Sequence, residues 1–149
     1  VSLKKLVAGA LLVSAAACFH NALFSLSADL LVPARSLVPR WPMYAFFLVI
    51  VLGGGYGGIR LWDRGLALFG VWLLVIAGST VTAMVSGIGT VVPPTTEERL
   101  AGFLAEGVVI ACALLVLIRE ARRWRAAAGM QVSLLDVVLL RSPERLAEM

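Results

Sequence analysis

Glu106 is the residue in this chain whose placement most demands a chemical explanation. It lies inside a long apolar run at 99–119, about two helical turns from its nearer end. At ~1.5 Å per residue that is a depth of roughly 10 Å. A bare carboxylate there is costly, so it must be protonated or paired. Asp29 and Ser25, near the end of an earlier apolar run, fall in the same outer half of the membrane. Either the two carboxyls share a proton, or Glu106 bonds to a hydroxyl of the third apolar run. The chemistry this suits is proton carriage or a quinone contact. The structural alternative is a buried hydrogen bond or an inter-subunit contact.

His20 is the single histidine and lies near the middle of the first run. In a helix it points about 100° away from Asn21. Haem ligation is one use for it, with the second axial ligand coming from a methionine or a partner chain. A neutral imidazole bonded to a serine or a backbone carbonyl is the plainer use. Ser14, Cys18, Asn21, Ser25 and Asp29 recur at steps of three and four, which puts them on one helical face. Ser79, Thr82 and Ser86 repeat the pattern in the third run, with Thr80 beside them. Both stripes are expected to face the interior of a helix bundle, where hydroxyls bond across helices. The functional alternative is a polar path for protons, ions or a small solute. The candidate intramembrane polar site is therefore Glu106, Asp29, His20, Asn21, Ser25 and Thr82.

Other patterns carry less chemistry. Cys18 and Cys112 both lie in apolar runs, which excludes an extracellular disulfide framework. One histidine and two distant cysteines are too few for zinc, so no metal site is expected. No nucleophile–base pair is legible, and no catalytic activity of the isolated chain is expected. Gly53, Gly54, Gly55, Gly57 and Gly58 surround Tyr56 but lack the Lys-Ser/Thr that completes a phosphate loop. They form two overlapping Gly-x-x-x-Gly patterns, 53/57 and 54/58, which suit a tight helix crossing. A kink or close approach of a cofactor are the alternatives.

Four apolar runs, at about 6–31, 43–60, 66–92 and 99–119, must position these residues. About 20 helical residues cross a ~30 Å hydrocarbon core. A backbone in lipid must satisfy its own hydrogen bonds, so each run should be a helix. The chain is 60% hydrophobic with mean hydropathy +0.95, against ~45–50% apolar for a soluble domain. The first run begins like a signal peptide, with Lys4, Lys5 and Ala15–Ala17, but it is too long for one and reads as a true span. The expected fold is an all-α integral membrane protein. Residues 1–125 form a four-span antiparallel bundle, and 126–149 a short amphipathic tail at the cytoplasmic surface.

Charge sets the orientation. Lys4, Lys5, Arg60, Arg64, Arg119, Arg122, Arg123 and Arg125 fall on one side, and Arg35, Arg40 and Arg99 on the other. The excess predicts that both termini are cytoplasmic, in a prokaryotic cytoplasmic membrane. Pro33, Pro39 and Pro42 stiffen the first outer loop, and Thr95 with Glu98 forms a capping box that should start span four. Met130–Leu140 is too short to span and should lie in the interface or pack on a partner. Ser142, Pro143 and Glu144 read as the start of a last short helix.

The net charge of +4 comes from residues at span ends, not from a basic stripe beside exposed aromatics, so nucleic acid is not an expected partner. The leading functional expectation is an accessory or structural subunit of a larger membrane complex. Its partners would be the lipid bilayer and other membrane subunits, or further copies of itself. The first alternative is a small transporter or channel using Glu106 and the polar faces of spans one and three. The second is a redox subunit associated with quinone or haem, although no cofactor is predicted outright.

Overall fold

A computed structural model describes residues 2–31, 40–87, 95–129 and 131–141. These residues form helices α1 (Leu3–Leu31), α2 (Trp41–Leu61), α3 (Gly65–Ser86), α4 (Thr96–Ala128) and α5 (Leu134–Val138). No strand occurs among the described residues. The first four helices are each long and apolar enough to cross a membrane.

Local sequence accounts for the helix ends. Pro42 sits in the first turn of α2, where its missing N–H costs nothing. Thr95 and Glu98 close the expected capping box, and Glu97 and Glu98 complement the positive end of α4. Gly87 (φ 70) and Gly129 (φ 63) terminate α3 and α4 in the left-handed conformation that glycine adopts without steric cost. α3 was expected to reach 92 and ends at Ser86, because Gly87 breaks it; residues 88–94, with Pro93 and Pro94, lie outside the described residues. Pro33 and Pro39 of the first loop, and the short helix expected from Ser142, also lie outside them.

α1 packs on α2, α3 and α4, whereas α2 touches α3 only lightly, near their short connection. The α1–α2 crossing is built by glycine. A Cβ on Gly54 would come within 3.0 Å of the Leu11 carbonyl oxygen, and one on Gly58 would collide with the Leu12 side chain. Gly53 faces open space and Gly57 only approaches Leu11, so the 54/58 pattern carries the crossing. α4 is the most buried of the long helices. Ala101, Ala105, Val109, Ala113, Leu117 and Ala121 repeat every four residues along its buried face. Ala16 of α1 and Leu73 and Ala77 of α3 meet Val109 and Ala113 in one core cluster.

A second cluster joins Ala67 of α3, Leu117, Ala121 and Trp124 of α4, and Val132 and Val137 beyond it. Residues 131–141 of the tail are thus docked on their own chain. Arg64 donates to the Leu140 carbonyl (2.9 Å) and Arg125 to the Val132 carbonyl (3.0 Å). Ser133 and Asp136 form a capping box at α5. The Ser133 hydroxyl, then its backbone N–H and Arg141, hold the Asp136 carboxyl below the ordinary aspartate value of 3.8.

Candidate functional site

His20 and Glu106 meet in the core of the molecule. His20 Nε2 lies 2.5 Å from Glu106 Oε1, and the side chains are 8% and 1% exposed. α1 delivers the imidazole and α4 the carboxyl, so the contact joins the first and fourth helices. Each is the sole charged or histidine residue across a long stretch of its helix: Lys5 to Asp29 in α1, Arg99 to Arg119 in α4. α3 carries no charged residue, and α2 carries only Arg60, at its end. The two therefore have no other ionic partner available at that level.

Thr80 completes the group from α3. Its hydroxyl lies 3.5 Å from His20 Nε2 and donates to the Ile76 carbonyl at 2.9 Å. Phe24, one turn along α1, packs its ring 6.1 Å from the imidazole centroid. Gly102, one turn before Glu106, makes room for Met84: a Cβ there would come within 2.5 Å of the Met84 Cε. Glu106 Oε2 is shut off from solvent and has no hydrogen-bond partner. With one proton between them, the imidazole and carboxyl carry no net charge in either arrangement of that proton. A pair that is neutral as a unit can stay buried where a lone carboxylate cannot.

Asp29 is engaged elsewhere. Tyr44 donates its hydroxyl to Asp29 Oδ2 (2.5 Å), and Arg40 Nη1 lies 3.0 Å from Oδ1. Nine residues separate His20 from Asp29, about 13 Å along the helix. Asp29 thus ties the end of α1 to the start of α2, and Glu106 pairs with His20 rather than sharing a proton with Asp29.

The two polar stripes do not face the interior. On α3, Ser79, Thr82 and Ser86 are exposed, and each hydroxyl donates to a carbonyl four residues back, at 2.7, 2.8 and 2.7 Å. This back-bonding satisfies them without a neighbour. On α1, Ser14 and Asn21 are exposed, and Ser25 is partly so. Among the described residues none of the three has a hydrogen-bond partner. Thr82 is therefore separated from the His20–Glu106 pair, and the α3 hydroxyl beside that pair is Thr80's, which approaches His20.

The sequence reading missed a second buried acid. Glu120, 1% exposed, accepts from Arg123 Nη2 at 2.6 Å, and the same nitrogen donates to the Asp63 carbonyl at 2.7 Å. The available signal was a lone glutamate inside an arginine-rich helix end. Among the described residues, no three His, Cys, Asp or Glu side chains gather as metal ligands. No family model, curated protein or solved structure matches this chain.

Proposed function

We propose that this is an integral membrane protein of four antiparallel spans with cytoplasmic termini, acting as an accessory or structural subunit of a larger membrane assembly. The contacts of Leu12 with Gly58 and of Asp29 with Tyr44 support the antiparallel pairing of the first two helices. The eight-to-three distribution of basic residues supports the orientation.

One observation carries the assembly reading. Asn21 presents an exposed carboxamide near the middle of α1, and no group in the described chain bonds to it. A polar group left unsatisfied in hydrocarbon costs several kcal/mol. An Asn facing another helix instead forms interhelical hydrogen bonds. Ser14, seven residues earlier, shares its face. That face is the one we assign to the neighbouring subunit.

Mass spectrometry of the protein extracted from its native membrane in mild detergent tests this. The expected result is a second chain present in fixed ratio, lost in Asn21→Leu while the thermal midpoint of the isolated protein is unchanged. A monomer, or an oligomer of this chain alone, would overturn the accessory reading. The buried His20–Glu106 pair favours proton or solute transport as a second reading. It predicts that Glu106→Gln abolishes flux in reconstituted vesicles while assembly persists. Haem ligation by His20, one form of the redox alternative, is not supported at Nε2, which is engaged by Glu106.

A further inference from the structure

At the end of the molecule where α2 turns into α3, a cavity of about 220 Å³ opens between the α2–α3 connection and α4. Asp63, Arg64, Arg123, Trp124 and Ala127 line it. Trp124, 4% exposed, belongs to the core cluster and forms a fixed wall. Arg64 is tethered by its bond to the Leu140 carbonyl, and its Nε is shut off from solvent with no partner. The guanidinium is therefore positioned, with its five-donor capacity only partly used.

Arg64 is also the N-cap of α3, a 22-residue helix, and gives it no side-chain cap bond. The positive end of that helix dipole and its first N–H groups stand beside the cavity. Asp63 at the lining and Glu120 on Arg123 offset the formal charge of the two lining arginines. The surrounding collar restores it: Arg60, Arg119, Arg122 and Arg125 are all exposed here. Leu134, Leu135 and Leu139, in and just after the docked α5, are exposed at the same end.

We propose that this cavity binds the phosphate of an anionic phospholipid headgroup, with the exposed leucines of the α5 segment lying against its acyl region. Three features together select that ligand over a soluble anion. The cations sit at the edge of an apolar helix bundle. Positioned arginines bond planar forks to phosphate oxygens. Apolar side chains beside them offer a surface that a free anion would not use. Basic pockets between helix ends are suited to anionic headgroups for the same reasons. The inference rests on the four helices spanning a membrane.

The test begins with flotation of the full chain with phosphatidylcholine vesicles, which examines the membrane reading alone. Phosphatidylglycerol and phosphatidylcholine with the same acyl chains are then titrated onto the detergent-solubilised protein, and bound lipid is read by native mass spectrometry. The expected result is at least fivefold tighter retention of phosphatidylglycerol, about the effect of one arginine near a headgroup. Arg64→Gln should lose that preference, Arg64→Lys should keep most of it, and Arg99→Gln, exposed at the opposite end of α4, should leave it unchanged. Excess inorganic phosphate should not displace the lipid. Equal retention of the two lipids would overturn the proposal, as would equal losses in Arg64→Gln and Arg99→Gln. Loss of the preference in Arg64→Lys would assign the effect to the Leu140 tether, and full displacement by phosphate would assign the site to a soluble anion; either overturns it.

Discussion

The His20–Glu106 contact makes a quantitative prediction that separates a true pair from two residues that are merely buried. His20→Leu leaves a 1% exposed carboxyl with neither oxygen partnered. A buried polar group left unsatisfied costs about 1–3 kcal/mol, and an uncompensated buried charge about 3–5 kcal/mol. We expect a loss of about 3 kcal/mol. Glu106→Leu leaves the imidazole with only the Thr80 hydroxyl at 3.5 Å, for a loss of about 1–2 kcal/mol. The double variant replaces both groups by apolar side chains of similar volume, which is often close to neutral. The two single losses against a near-neutral double variant then give a coupling energy of about 4–5 kcal/mol, above the ~0.6 kcal/mol average for polar pairs between membrane helices. Reversible unfolding of the four proteins from bicelles, read by steric trapping, gives the cycle. Additivity to within about 0.5 kcal/mol would refute the reasoning, because residues in direct contact cannot be energetically independent when each is the other's main partner.

Two more outcomes follow from the packing and the tail. Gly58→Ala should destabilise by about 1–2 kcal/mol, because its Cβ would collide with the fully buried Leu12 and come within 2.8 Å of its Cδ2; overpacking outweighs the ~1 kcal/mol helix-propensity gain. Gly53→Ala, with nothing within 4 Å, should instead be neutral or stabilising, and equal effects in the same unfolding assay would contradict the assigned crossing. Docking of α5 should be supported by ionised Asp136 above the ordinary value of 3.8 and be lost as pH falls through its lowered folded value. Pepsin cleavage between Gly129 and α5 should rise over that interval, and Asp136→Asn should remove the pH dependence.

Long-range order in the sequence was coarse where the bilayer pattern was strong and silent where it was not. The four long helices follow from apolar run length alone, and the α4 start from Thr95 and Glu98, because a capping box is local chemistry. The 54/58 crossing was visible as one of two equal patterns, since sequence cannot say which glycine row faces a neighbour. Glu106 was legible as a residue needing a partner, but the partner was not. Helical spacing places His20 off the polar stripe, and that stripe predicts the buried face. α1 instead buries Ala8, Leu12, Ala15, Ala16 and His20, so its small and aliphatic residues set its orientation. Glu120 stayed hidden because its partners, Arg123 and the α2–α3 connection, come together only through tertiary packing.

The polar groups within the four long helices fall into three kinds, and the division bears on function. The α3 hydroxyls are satisfied by their own backbone, so their exposure demands nothing. His20 with Glu106, and Asp29 with Tyr44 and Arg40, are paired with each other, and these contacts tie α1 to α4 and to the start of α2. Asn21 belongs to neither kind. Its carboxamide has two donor hydrogens and an acceptor oxygen, is exposed near the middle of an apolar helix, and is left without a partner in the described chain. A membrane bundle that was complete by itself would place an apolar side chain there, because lipid can return none of those hydrogen bonds. The chain pairs the costly titratable groups internally and leaves the cheaper amide facing outward, and it is on this distribution that the proposed neighbouring subunit rests.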